Sequence, residues 1–456
     1  MIRPIRAELR GSSARTIAIL LFVVAALFTA GMVRTWWRQW LMFGYVEASL
    51  MFVVVPLALA CGAMLGRREK RTRAAELMAS TGRPLWQRIT PAMSALGAAV
   101  ATAHLLLVGV CAALIGSTGG WLGAAGFPSV LVDTALLVGA VWTGLALGRW
   151  WSSALLPPAL AAAVLVVQFV AAGAEQFDAA GADQPTPLVN LSLMVQFQQF
   201  PWEGPTAVAV LGRLALAAGL VVGGALLASA ASWWGRGAAT AALAAGVAGL
   251  LLIPPPTDTR RYQIEPSGQA LTCADGTPQV CVTAVYAYAL PGVVPQARRA
   301  LAALAKLPNA PTRAAEFQPS VVGDGSSDQF QGNAPRTDPT TVRFSLQPDW
   351  LTGADPHVAE DIAFGAGTRW NGCAQDDEAA RAAAGAWLLG TDELHVFDGT
   401  FDDWATIRDQ TTAILRTLRK QPEQEQLRRV TALRDAANRC EKDLTPILTG
   451  KPKEAS

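Results

Sequence analysis

Seven apolar runs, each near the ~20 residues that a helix needs to cross a bilayer, occupy the first half of the chain: residues 16–33, 46–66, 90–115, 128–148, 153–173, 207–231 and 237–253. The last is the shortest. They predict an all-α polytopic membrane domain of about seven transmembrane helices over residues 1–253. From Pro254 the composition becomes that of a water-soluble protein. Pro254-Pro255-Pro256 ends the last helix and starts a stiff linker, 254–262. Residues 263–456 then read as a separate α+β or α/β domain. The chain as a whole has 16% charged residues, below the ~25% usual for soluble proteins. Its net charge of +2 averages two unlike parts. Residues 1–253 hold 16 Lys+Arg against 9 Asp+Glu, a balance of +7, and the remainder holds 21 against 26, a balance of −5.

Lys and Arg set the expected orientation. Arg3, Arg6, Arg10 and Arg15 precede the first run, Gly66–Arg88 is the densest basic stretch of the membrane half, and Arg149 and Arg236 follow the fourth and sixth runs. All fall on one side if seven spans alternate, which makes that side cytoplasmic. The opposite loops are poor in cations: Gly116–Phe127 has none, and Ala174–Pro205 has four acids and no cation, while Arg34 and Arg38 run against the trend. Seven crossings then leave the C-terminal domain outside the cytoplasm. The tryptophans at 36, 37, 40, 150, 151, 233 and 234 read as interfacial anchors. Residues 1–31 read as an uncleaved first span; a cleaved signal peptide is the alternative. No basic patch interleaved with aromatics points to nucleic acid.

Four of the six cysteines, Cys273, Cys281, Cys373 and Cys440, lie in the tail, and Cys61 and Cys111 lie in apolar runs. An even number in a segment expected outside suits an oxidising compartment. Cys273–Cys281 and Cys373–Cys440 are the preferred pairs among three connectivities. In the tail, Cys281–Ala289 and Thr341–Leu346 read as strands, Pro308–Thr340 as a long loop, and Val294–Leu307, Pro356–Gly367, Asp376–Leu389, Phe401–Lys420 and Glu423–Leu444 as helices.

The basic loop after the second run contains good helix formers from Glu69 to Ala79, stopped by Gly82 and Pro84. Its stretch Arg73-Ala74-Ala75-Glu76-Leu77-Met78-Ala79-Ser80-Thr81-Gly82-Arg83-Pro84 resembles the corresponding loop of ABC-2-type transporter permeases, the membrane subunits of ABC exporters. A looser likeness of span layout covers Met1–Trp234. The resemblance implies a coupling helix, with Arg73, Glu76 and Arg83 in the contact, docking onto a separate ATP-binding subunit. It also implies a second permease copy or a sister permease. The chain departs from that pattern in its seventh span and its large outer domain. Read without the resemblance, the loop is a topogenic basic segment. No G-x-x-x-x-G-K-[ST] is present, so any ATPase is another chain.

Ionisable residues inside spans are functional candidates. Glu47 and Asp133 fall near predicted outer ends, Arg213 several residues inside the sixth run, and His104 in the middle of the third. One reading pairs Arg213 with Asp133 or Glu47 at the mouth of a path; the other lets Arg213 snorkel. For His104 a hydrogen bond to a neighbouring helix competes with proton relay. Gly219 and Gly223, and Gly246 and Gly249, offer close-packing faces. In the tail, His357 and His395 have carboxylates nearby but no metalloprotease spacing, and no catalytic motif, cofactor motif or metal site is expected. The function expected is the permease subunit of an ATP-driven exporter in the cell membrane. The alternative is a membrane-anchored extracytoplasmic binding or immunity protein.

Overall fold

The computed structural model describes residues 13–71, 84–178, 187–193, 200–230, 232–254, 261–308, 310–318, 340–349, 351–373, 377–395 and 404–450. The loop bearing Arg73, Glu76 and Arg83 lies outside them. The chain divides into two compact units, Met1–Thr118 with Leu122–Glu265, and Gly119–Trp121 with Pro266–Ser456.

The first unit is a helical bundle: α1 Ser13–Gly31, α2 Trp40–Arg71, α3 Leu85–Ser117, α4 Phe127–Trp150, α5 Leu156–Asp178, α6 Ala207–Ser229 and α7 Trp233–Leu251. Six of these, α1 to α6, are long and apolar enough to cross a membrane. The seventh run is also a helix, but Trp233, Trp234 and Arg236 in its first turn and its many Ala and Gly residues leave it short of that apolarity. Thr206 and Ser232 cap α6 and α7 by accepting from the backbone N–H of Ala209 and Gly235. The unit extends past the expected boundary at Ile253. Strand β1, Glu203–Pro205, pairs antiparallel with β2, Tyr262–Ile264, so the two ends of the α6–α7 hairpin are tied together.

Helix α4 is the centre of the bundle, and glycine puts it there. A Cβ added at Gly144 would lie 2.1 Å from the carbonyl O of Leu59, and at Gly148 2.2 Å from that of Ala63. From the facing side, a Cβ at Gly62 would lie 2.2 Å from the carbonyl O of Val141, and at Gly66 2.1 Å from that of Leu145. Two G-x-x-x-G pairs thus interleave, and α2 meets α4 backbone to backbone. Another face of α4 meets α6, where Gly139 lies against Val221 and Gly224 against Thr143. Helix α7 runs antiparallel along α6: Gly223 packs on Leu243, Gly219 on Gly246, and Gly212 on Ile253. By contrast α5 exposes Val166, Val167, Phe169 and Val170, the side chains of a lipid-facing helix.

Pro56 interrupts α2 and has no N–H to donate, which leaves the carbonyl O of Phe52 without its helical partner. The buried Gln168 of α5 donates to that oxygen at 3.2 Å and accepts from the N–H of Leu193 at 3.2 Å. A polar residue in an apolar span is thereby accounted for. Arginines gather at one end of the bundle. Arg67 donates to the carbonyl O of Ser152 just beyond α4, Arg149 is in the last turn of α4, and the Arg236 guanidinium lies 4.5 Å from the Trp150 ring centroid.

The second unit contains a four-stranded sheet of order β3-β4-β5-β6: β3 Leu271–Cys273, β4 Gln279–Thr283, β5 Arg313–Glu316 and β6 Thr341–Phe344. β3 and β4 are antiparallel, and the remaining pairs are parallel. Helix α8, Leu290–Leu304, makes the crossover from β4 to β5 and buries Val293, Ala297, Ala300, Leu301 and Leu304 on one stripe. Further helices follow, among them α9 Val358–Ala363, α10 Glu378–Leu389, α11 Trp404–Arg419 and α12 Glu423–Asn438. Disulfides join Cys273 to Cys281, which are register partners across the β3–β4 hairpin, and Cys373 to Cys440, 67 residues apart.

Several tail elements differ from the sequence reading. The strand expected over Cys281–Ala289 ends at Thr283, and Ala284–Ala289 forms a 3-10 turn into α8 whose Val285, Tyr286 and Ala289 are buried. Alternating burial in so short a stretch does not separate a strand from a tight helical turn. β5 lies inside the expected loop Pro308–Thr340. The helix expected over Pro356–Gly367 stops at Ala363, because Gly365, Ala366 and Gly367 take positive φ. That over Glu423–Leu444 stops at Asn438, just before Cys440 turns to φ 61° to make its disulfide.

Candidate functional site

The sequence singles out four ionisable side chains in the spans, and the structure brings them into two pairs around α4, one fully buried and one with its arginine partly exposed. Glu47 lies seven residues into α2, about 10 Å from its start at 1.5 Å per residue. This is deeper than expected, because α2 begins at Trp40 and not at residue 46; the aromatic flank continues the helix. Glu47 Oε1 lies 3.1 Å from His104 Nε2. His104 Nδ1 lies 2.9 Å from Thr134 Oγ1, and that hydroxyl donates to the carbonyl O of Val130 at 2.7 Å. Having given its hydrogen away, Thr134 accepts from Nδ1. Nε2 therefore faces Glu47 Oε1 at ion-pair distance, and neither atom finds a hydrogen-bond partner among the described residues. Glu47, His104 and Thr134 are 2%, 5% and 9% exposed.

The residue before Thr134 faces another helix. Asp133 Oδ1 accepts from Arg213 Nη2 of α6 at 2.7 Å. Asp133 is 1% exposed as a side chain, whereas Arg213 is 16% exposed. Two adjacent residues of α4 thus tie α3 and α6 to it, and Glu47 adds α2. Asp133 Oδ2 and Glu47 Oε2 are buried with no hydrogen-bond partner among the described residues.

Arg213 also lines a cavity at the end of the bundle opposite the arginine-rich end, enclosing about 610 Å³ of empty space with its open mouth included. The polar lining is Arg213, Arg261, Tyr45, Tyr262 and Ser129. Arg261 donates to Asn190 Oδ1 at 2.8 Å, and Asn190 Nδ2 donates to the carbonyl O of Ile253 at 2.6 Å, which fixes the guanidinium beside the exit of α7. Burial pushes the Tyr262 phenol up to about 12 against the pull of Arg261, so it stays an O–H donor at neutral pH. Sequence reading missed Arg261 and Tyr262 because they fall in the expected linker; Pro254-Pro255-Pro256 draws attention away from residues that turn back onto the bundle.

In the tail, His357 Nδ1 is 3.5 Å from Glu360 Oε2, which also accepts from the backbone N–H of His395 at 2.6 Å. That geometry holds a turn together. No cluster of three metal-ligating side chains occurs among the described residues. Asp361 is a structural anchor that accepts from the N–H of Ser345 at 2.8 Å, from Trp370 Nε1 at 3.2 Å and from Arg369. The coupling residues Arg73, Glu76 and Arg83 lie outside the described residues. No protein-family model, curated protein or solved structure matches the chain.

Proposed function

We propose that the chain is the membrane subunit of an ATP-driven exporter, working with a separate ATP-binding subunit and with a second copy or a sister permease. The observation that carries this reading is the burial of Glu47, His104 and Asp133 inside one bundle, with the partly exposed Arg213 paired to Asp133. Ionisable groups at membrane depth are costly, and a helix bundle that only anchors a domain has no use for four of them. Helices that meet through glycine backbones, with few interlocking side chains, are suited to the small sliding movements of alternating access. The orientation has α7 as a seventh crossing and the disulfide-bearing tail beyond the bilayer. Its antiparallel course beside the full length of α6 supports that, as do the arginines gathered at one end.

Co-purification of the full chain with its ATPase tests the reading. Replacing Glu76 or Arg83 by Ala is expected to reduce recovery of the ATPase while the membrane subunit stays folded. Unchanged recovery would count against a coupling role for the loop. The second reading, a membrane-anchored binding or immunity protein, draws on the tail's own core, sheet and two disulfides. It predicts that no ATPase is recovered at all.

A further inference from the structure

The cavity beside α4 and α6 has a chemistry that neither reading uses. Among the described residues, every ionised side chain in its lining is a guanidinium, Arg213 or Arg261, and no carboxylate lines it. Asp133, which neutralises part of the Arg213 charge, sits behind it at 1% exposure. Arg213 spends one of its five N–H donors on Asp133, and the others find no acceptor among the described residues. Tyr45, Tyr262 and Ser129 add hydroxyls to the same wall. The rest is apolar, with Leu41, Val210 and Ile253 as its largest members.

We infer that this cavity binds an anionic amphiphile: a phosphate or carboxylate head held by Arg213 and Arg261, with an apolar body against Leu41, Val210 and Ile253. A cation would meet two guanidinium groups, and a small hydrophilic anion would leave the apolar wall unfilled. The head group can come from a bilayer lipid or from a free amphiphile, and the chemistry is common to both. Binding does not depend on an ATPase, so it stands apart from the transport reading.

Gly44 supplies a clean test. It lies in α2 on the cavity wall, and a Cβ added there meets nothing within 4 Å. Gly44→Phe therefore fills the space without changing charge. The full chain, reconstituted in zwitterionic phosphatidylcholine nanodiscs, is titrated with dodecyl phosphate, dodecanol and dodecyltrimethylammonium. Saturable binding of dodecyl phosphate is expected, with dodecanol weaker by roughly tenfold or more, the factor a lost charge-assisted hydrogen bond carries. Gly44→Phe, checked for unchanged helix content, is expected to bind dodecyl phosphate at least about tenfold more weakly. If the protein binds the ammonium amphiphile as well as the phosphate, or if Gly44→Phe binds dodecyl phosphate as wild type does, the inference fails. Should Gly44→Phe not fold, the comparison of the three head groups on the wild type decides alone. Repeating the titration in nanodiscs containing phosphatidylglycerol separates the sources: competition assigns the occupant to the bilayer, and undiminished binding assigns it to a free amphiphile.

Discussion

Removing one partner of the Asp133–Arg213 pair should cost far more than removing both, and the two single changes should differ. At 2.7 Å, two unit charges attract by about 6 kcal/mol at an effective dielectric of ~20. Desolvation of several kcal/mol per ion offsets most of that. The net value of the pair is therefore small, while a charge left alone keeps its desolvation cost. Arg213→Met strands a carboxylate that is 1% exposed and should cost about 3–5 kcal/mol. Asp133→Leu strands an arginine that is 16% exposed at the cavity wall and can hydrate there, so the cost should be nearer ~1–3 kcal/mol. The double variant, with apolar groups of similar size, should recover to within about 1–2 kcal/mol of wild type. Titration of the purified protein from mild detergent into SDS, followed by helical circular dichroism, gives the free energies. The reasoning is refuted if both single variants match wild type, or if the double variant loses the sum of the two single losses.

Four further outcomes follow from particular positions. Gly144→Ala puts a methyl group against the Leu59 carbonyl and should destabilise the bundle by about 1–3 kcal/mol or more. Gly109→Ala in α3, where a Cβ meets nothing within 4 Å, should be neutral or stabilise by about 0.5–1 kcal/mol in the same SDS titration. Opening Cys373–Cys440 with a Cys440→Ser change should lower tail stability by about 4 kcal/mol for a loop of 67 residues, against ~2.5 kcal/mol for a Cys273→Ser change that opens the eight-residue Cys273–Cys281 loop, read by thermal unfolding of the two variants. Burial pushes the Glu316 carboxyl up to about 8, although the N–H and hydroxyl of Thr283 both donate to it and pull it down. The folded tail holds a proton that the unfolded chain releases near pH 4.5. Its stability should therefore fall as pH rises from about 4.5 to about 8, by up to about 5 kcal/mol, and level off above that. Glu316→Gln should flatten the profile, and an unchanged pH dependence of the melting temperature would show that the carboxyl is ionised when folded.

The membrane half was legible where long-range order follows from a local property. A bilayer demands a run of apolar residues whatever the neighbours are, so α1 to α6 could be read from the chain, and so could the candidate status of Glu47, His104, Asp133 and Arg213. The partner of each was not legible. Asp133 and Thr134 are adjacent in sequence, yet they face different helices, and only the packing of α4 decides which. Gly62, Gly66, Gly144 and Gly148 stood in the sequence at the right spacing, but a glycine's role as a contact shows only when another backbone arrives. Gln168 was silent for the same reason, since its partner is a carbonyl freed by Pro56 in another helix. In the tail, β5 was hidden because Arg-Ala-Ala-Glu has little strand character of its own and is held by the parallel strands on either side. Arg261 and Tyr262 were missed because a proline run marks a boundary in composition, whereas the packed unit continues to Glu265.

Whether α7 crosses the bilayer fixes the side on which the tail lies, and with it the meaning of the cavity end and of the two disulfides. Alkaline phosphatase and green fluorescent protein, each fused after Ser456 in separate cells, decide it directly. Seven crossings predict active phosphatase and a dark fluorescent fusion. A bright fluorescent fusion with inactive phosphatase would put the C-terminus in the cytosol and contradict the proposed orientation.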